Sequence, residues 1–206
     1  SKKYVSELIE LCEKRDVFLI ADEIYSDIVF DGVKFFSAGE VGSPNVILVN
    51  GVSKMSAMTG WRLGYLVAGK EVADACVKIQ QQTGTCAMSI SQYAAISAFK
   101  HCDKYVGKMV EEYEKRRNLL VEGIKSIGCL DCFKPKGAFY LFVDTKKIRK
   151  TSVEATNFLL EKALVATVPG SAYGKSGEGY VRMSFATSSE NIQAAVENMR
   201  RGMKEL

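Results

Sequence analysis

Three short apolar runs constrain this chain most: Val17-Phe18-Leu19-Ile20-Ala21, Val46-Ile47-Leu48-Val49 and Leu63-Gly64-Tyr65-Leu66-Val67-Ala68. None alternates apolar with polar residues, so none reads as a strand with one wet face. Continuous runs of this length belong to strands covered on both faces, as in a parallel sheet flanked by helices. Segments of helical period lie beside them. From Tyr4 to Arg15, Val5, Leu8, Ile9 and Cys12 recur at a three-or-four spacing ahead of the first run, and helical stretches from about Lys70 to Gln82 and Ser91 to Lys100 follow the third. The expectation is three parallel strands forming part of an open α/β sheet.

A longer helix is expected from about Asp103 to Ile127. Val106, Val110, Tyr113, Leu120, Ile124 and Ile127 line one face, with Glu111, Glu112, Glu114, Lys115 and Arg116 on the other. Beyond it the pattern becomes α+β: strand Ala138 to Val143, helix Ser152 to Ala163, strand Val165 to Val168, strand Gly179 to Phe185 and a closing helix Glu190 to Lys204. A length of 206 residues accommodates one large domain or one domain with part of another. The reading is a first domain over 1–115 and a second over 116–206, linked by the long helix.

Composition narrows the function classes. Lys and Arg number 28 against 24 Asp and Glu, and the basic residues are scattered instead of gathered in a block, which speaks against a nucleic-acid binder. No apolar run approaches the ~20 residues of a membrane span, and the first residues are charged where a signal peptide is apolar. A cytoplasmic location and no membrane partner are expected. The six cysteines have no framework spacing and read as reduced. Cys129-Leu130-Asp131-Cys132 has the CxxC spacing, but with no second pair and the single His101 far upstream it reads as neither zinc site nor redox motif.

Ligands of open parallel sheets bind beyond the carboxyl ends of the strands. Beyond the first run stand Asp22-Glu23-Ile24-Tyr25, and beyond the second Asn50-Gly51-Val52-Ser53-Lys54. A carboxylate, a phenol and an amine therefore meet at one rim, and a lysine taken out of water there is suited to nucleophilic or Schiff-base chemistry. Taken alone, Lys54 reads as a surface lysine. The run Asn50 to Tyr65, with Met58-Thr59-Gly60-Trp61-Arg62 at its centre, read together with Ala21-Asp22-Glu23-Ile24-Tyr25, resembles the pyridoxal-phosphate-dependent class I aminotransferases of fold type I.

That resemblance implies a fold and a set of roles. The fold is α/β: part of the large cofactor-binding α/β/α sheet domain followed by a small α+β C-terminal domain. Lys54 matches the family's Schiff-base lysine, and Asp22 the aspartate whose charge favours a protonated pyridine nitrogen. Tyr25 matches the tyrosine that hydrogen-bonds the phenolic oxygen of pyridoxal 5′-phosphate. Arg62 matches the arginine on the cofactor phosphate, with Ser53 as a second phosphate contact. Many relatives carry a serine at the position of Gly51. Gly60 and Gly64 read equally as close-approach positions and as loop punctuation. Arg182, in Tyr180-Val181-Arg182-Met183-Ser184-Phe185, matches the arginine for the substrate α-carboxylate; without the resemblance it reads as a structural ion-pair partner. Phe139, in Pro135-Lys136-Gly137-Ala138-Phe139-Tyr140, reads as a core aromatic or a pocket wall.

Two other stretches carry less. Gly170 to Ser176 has three residues between its glycines where a P-loop needs four, and a strand follows instead of a helix. Thr83, Thr85 and Ser89 lie in a loop that the resemblance places near a cofactor phosphate, but capping or exposure accounts for each.

The resemblance implies ping-pong exchange of an amino group between an amino acid and a 2-oxo acid, with aspartate or an aromatic amino acid as donor, in a homodimer. It covers only about the second half of the family's usual chain. The expectation is therefore a C-terminal part without its N-terminal half, starting at Ser1 and unstable or associating on its own. Another activity on the same scaffold, such as a carbon–sulfur lyase or a decarboxylating synthase, and an inert assembly module are the alternatives.

Overall fold

The computed structural model describes residues 1–148 and 150–205. The chain runs α1 (Lys2–Lys14), β1 (Leu19–Asp22), β2 (Val46–Gly51), α2 (Val52–Met55), β3 (Gly64–Val67), α3 (Lys70–Thr83), α4 (Ser89–His101) and α5 (Asp103–Lys125), then β4 (Asp131–Cys132), β5 (Tyr140–Asp144), α6 (Ser152–Ala163), β6 (Val168–Pro169), β7 (Tyr180–Ser184) and α7 (Ser189–Gly202). It divides into two compact units, Ser1–Lys108 and Met109 onward, the division falling inside α5.

In the first unit the sheet order is β1-β2-β3, with β1 and β2 parallel and β2 and β3 antiparallel. The expected third parallel strand is thus corrected. A parallel crossover takes a dozen or more residues, usually as a helix long enough to cover the sheet. The connection from β2 to β3 spends its length on the single turn of α2 and a 3-10 turn at Thr59–Trp61, so the chain comes back beside β2 in the opposite sense. Ile9 of α1, Ala38 and Val46 form the buried cluster that seats α1 on the sheet, with Val5, Leu19, Ala21 and Leu48 packed around it.

Coverage on both faces is corrected as well. Ile20 is 68% exposed and Val67 57%, and α3 buries no residue, its Ile79 standing 63% exposed. β1 and β3 are the edges of this sheet, and the helices of this chain leave much of their apolar surface open.

The second unit is an antiparallel sheet in the order β4-β5-β7-β6. Here strict alternation holds. Leu141, Val143, Val181 and Met183 are buried with Leu120, Leu159, Ile192 and Met199 of the helices, while Tyr140, Phe142, Tyr180 and Arg182 share the other face. The strand expected at Val165 to Val168 shrinks to Val168–Pro169. Leu164 ends α6 in the left-handed region at φ 54°, and the Val165 amide is spent on the Leu159 carbonyl. β4 pairs Asp131 and Cys132 with Asp144 and Val143 inside the CxxC stretch, an element the sequence reading did not contain. Among the described residues no helix is long and apolar enough to cross a membrane.

Candidate active site

β1 ends at Asp22, and the backbone then turns, with the Ile24 amide donating to Asp22 Oδ1 at 3.2 Å. The neighbouring carboxylate is committed elsewhere. Glu23 is buried and accepts from Ser37 Oγ and the Ala38 amide, both at 2.7 Å, which ties the end of β1 to the turn that follows it. The two acids thus divide the work: Glu23 anchors the backbone, and Asp22 remains at the rim, exposed.

β2 delivers Asn50 and then α2, which carries Ser53 and Lys54. The Gly51 amide donates to Asn50 Oδ1 at 2.7 Å, and Asn50 Nδ2 donates to Ser26 Oγ at 3.3 Å, linking the ends of β1 and β2. Gly51 pairs with Gly64 across β2 and β3. A Cβ at Gly51 would stand 2.9 Å from the Leu63 carbonyl oxygen and 3.0 Å from the Gly64 Cα, so the strands close on a position without a side chain. The chain between them holds two non-glycine residues in the left-handed region, Ala57 at φ 53° and Arg62 at φ 50°. Such conformations cost about 1 kcal/mol or more and gather at functional sites. At Arg62 the turn brings its guanidinium back onto the Thr59 carbonyl at 3.0 Å.

These segments enclose a cleft of about 340 Å3 lined by Asp22, Ile24, Val49, Asn50, Ser53, Arg62, Leu63 and Gly64. Three of the residues singled out from sequence, Asp22, Ser53 and Arg62, meet in it. Lys54 and Tyr25 form a pair of their own, with Nζ 6.0 Å from the centre of the phenol ring, and are not among the cleft's lining residues. Arg182 belongs to the second unit, on the open face of β7. Its guanidinium carbon lies 4.2 Å from the Tyr140 ring centre and 4.9 Å from that of Tyr173. Phe139 is half-buried and packs on Tyr113 and Tyr140.

A wider recess of about 1,330 Å3 adjoins the cleft through Arg62, with Trp61, Tyr65, Cys76, Gln80, Thr85 and Ser91 among its lining residues. Burial, then the charges of Asp27 and Glu23, hold the Tyr65 phenol above its ordinary value of 10.0, so it stays a proton donor at neutral pH. Of the three loop hydroxyls considered from sequence, Thr85 lines this recess. Thr83 donates back to Ile79 in its own helix, and Ser89 starts α4. Sequence reasoning gave no role to Asn50 or Tyr65. Asn50 follows an apolar run at the same strand end as Lys54, and that position was a usable signal; Tyr65 lies inside an apolar run and gave none.

The chemistry of the donor set decides what the cleft accepts. A carboxylate, a hydroxyl and a guanidinium in one small concavity suit a ligand carrying both a cationic ring nitrogen and a phosphate. The volume lies in the ordinary range of about 300–1,000 Å3 for small-molecule sites. Among the described residues no group of three or more His, Cys, Asp or Glu side chains is placed to hold a metal.

Comparison with known proteins places relatives along the whole chain. The family model "Aminotransferase class I and II" matches residues 1–199. The aromatic-amino-acid aminotransferase 2 of Thermococcus litoralis is 39% identical over 100% of this chain and 54% of its own length. The aspartate aminotransferase of Pyrococcus abyssi is 40% identical over 99% of this chain and 53% of its own. Among solved structures, the aromatic aminotransferase from Pyrococcus horikoshii superposes with a TM-score of 0.95 at 40% identity, over 100% of this chain and 56% of that one. The aspartate aminotransferase from Thermus thermophilus with maleate gives 0.92 at 38% identity, over 98% and 52%. The chain spans about half the length of the curated relatives it matches.

Proposed function

The chain belongs to the class I and II aminotransferases, and from that premise we propose that its protein transfers an amino group between an amino acid and a 2-oxo acid, using pyridoxal 5′-phosphate, as a homodimer. Residues 1–115 supply the cofactor-binding part and 116–206 the small domain. The observation that carries the reading is the meeting of Asp22, Ser53 and Arg62 in one cleft, with Lys54 directly after Ser53 and facing Tyr25.

Pyridoxal phosphate, when bound, supplies an electron-withdrawing ring that accepts the electron pair left when the substrate Cα loses its proton. The chain's own residues do the rest. Asp22 would pair with the protonated ring nitrogen of the bound cofactor and favour its protonated form. Ser53 and Arg62 would hold the phosphate, the arginine through the fork geometry of its guanidinium. Lys54 would hold the cofactor through its amine and would carry the proton to and from the substrate Cα. Tyr25 would donate a hydrogen bond from its phenol to the cofactor's phenolic oxygen. Arg182 binds the substrate α-carboxylate and so fixes the orientation of the Cα–H bond. Aspartate and aromatic amino acids are the donors best supported, because the relatives bear those names and one neighbour is described with maleate, a dicarboxylate.

The test begins with the protein mixed with pyridoxal phosphate, reduced with borohydride and digested for peptide mass. A single modified lysine at Lys54, lost in Lys54→Ala, is the expected result. Modification spread over several lysines, or undiminished in Lys54→Ala, overturns the assignment. Turnover of aspartate and of phenylalanine with 2-oxoglutarate then ranks the donors.

A further inference from the structure

On β7, Arg182 stands opposite Phe142 of β5, with Tyr140 as its diagonal neighbour two residues on. The alternation of the two strands puts Tyr140, Phe142, Tyr180 and Arg182 on the same face. Among the described residues the Arg182 guanidinium makes no hydrogen bond or ion pair, and it lies against two tyrosine rings. A half-buried guanidinium without a carboxylate of its own chain is uncommon, because its N–H groups have given up part of their water. From this geometry we infer that Tyr140 and Tyr173 are positioning residues: their rings hold the guanidinium by its face and leave its N–H edge directed to an incoming carboxylate. The inference rests on the reading of Arg182 as the α-carboxylate anchor.

The directions of the two forces make this division of labour possible. Cation–π attraction acts on the flat face of a guanidinium, whereas its hydrogen bonds lie in the plane. Rings therefore restrain the side chain without competing for the groups that a planar carboxylate needs. An acidic neighbour would restrain it equally well and would occupy those groups.

Tyr173 is itself held in place. It is 51% exposed, yet its ring meets Phe142 edge-on at 6.3 Å, and Phe142 in turn stacks on Tyr180 at 5.0 Å. The 3-10 turn Gly170–Tyr173 folds back on the turn Lys175–Gly177. A Cβ on Gly170 would collide with the Gly177 carbonyl oxygen, and one on Gly177 with that of Gly170. Buried Ser152 closes the arrangement, donating to the Gly177 carbonyl at 3.3 Å and accepting from the Gly179 amide at 2.9 Å. The exposure of Tyr173 sets it apart from core packing, and its scaffold sets it apart from a loose surface ring.

The experiment compares Tyr140→Leu, Tyr173→Leu, their Phe counterparts and Arg182→Lys in the full protein. Each Leu variant is expected to raise KM for both the amino acid and the 2-oxo acid by about three- to tenfold, with kcat changed less than about twofold, and each Phe variant to restore KM, because the ring and not the hydroxyl holds the cation. A second readout is independent of turnover. The side-chain protons of Arg182 should show ring-current upfield shifts by NMR, kept in the Phe variants and reduced in the Leu variants. Unchanged KM and unchanged shifts in both Leu variants, with KM raised in Arg182→Lys, overturn the positioning role and leave the anchor standing. Unchanged KM in Arg182→Lys overturns the anchor and the inference with it. Should Tyr140→Leu fail to fold, Tyr173→Leu at its half-exposed site carries the same comparison.

Discussion

Among the described residues Arg117 is the largest fully buried side chain, at 0% exposure, and it sits inside a helix. Its guanidinium donates to the Pro135 carbonyl at 2.9 Å, to Glu114 Oε1 at 3.0 Å and to Asn118 Oδ1 at 2.9 Å. The Pro135 bond reaches from α5 to the segment that leads into β5. Removing one partner of a buried charge network strands the others, so Arg117→Ala should cost about 3 kcal/mol in urea unfolding. Arg116→Ala, which breaks an i,i+4 pair with Glu112 near the surface, should cost under about 1 kcal/mol. Equal losses would sink the distinction. Nothing in the sequence separates the two arginines, since adjacent helical positions differ by a rotation of about 100° and the deciding carbonyl lies 18 residues away. The site residues are the opposite case. Asp22 and Ser53 follow apolar runs, and position at a strand end was enough to bring them into view, while the roles given to them came from family resemblance.

Helices were the most legible elements. α6 spans Ser152–Ala163, the limits read from its periodicity, and Thr151 starts it with a capping box to Glu154. Strand direction was not legible, because an apolar run looks the same in both senses and the choice is made by its connection. The β2–β3 closure rests on Gly51. Gly51→Ser places a side chain against backbone atoms of Leu63 and Gly64 that cannot swing aside, so the strands must part. The expected outcome is a loss of about 1–3 kcal/mol, measured as a lower urea midpoint. A variant as stable as the parent would show that the ends of β2 and β3 open freely. The family resemblance implies serine as the alternative at this position, so the substitution asks whether the neighbourhood of Gly51 accepts it.

At the scale of the molecule the two units differ in how they complete their sheets. The antiparallel sheet of the second unit buries one face with Leu141, Val143, Val181 and Met183. The three-stranded sheet of the first leaves apolar side chains of β1, β3, α3 and α4 in water. Hydrogen exchange on the whole chain should therefore be at least about a hundredfold slower at the β5 and β7 amides than at those of β3. Comparable protection would mean that the first unit is as well secured as the second. The apolar runs alone do not carry this asymmetry, because they report a demand for burial and not whether the same chain meets it; the expectation of a part unstable or associating on its own came from the family resemblance.

The paired glycines of the second unit bear on how such a molecule can drift in sequence. At Gly170 and Gly177 each missing side chain makes room for the other's carbonyl oxygen, which no substitution removes. Enlarging one residue cannot be offset by altering its partner, so no sequence of single changes leads away from the pair without rebuilding the loop. Exposed Ala172, Lys175 and Ser176 lie between them and are under no such restriction. Variation in this loop is thereby channelled into the few positions around Tyr173, so descendants of this chain can retune the surroundings of Arg182 while the frame that presents them stays fixed.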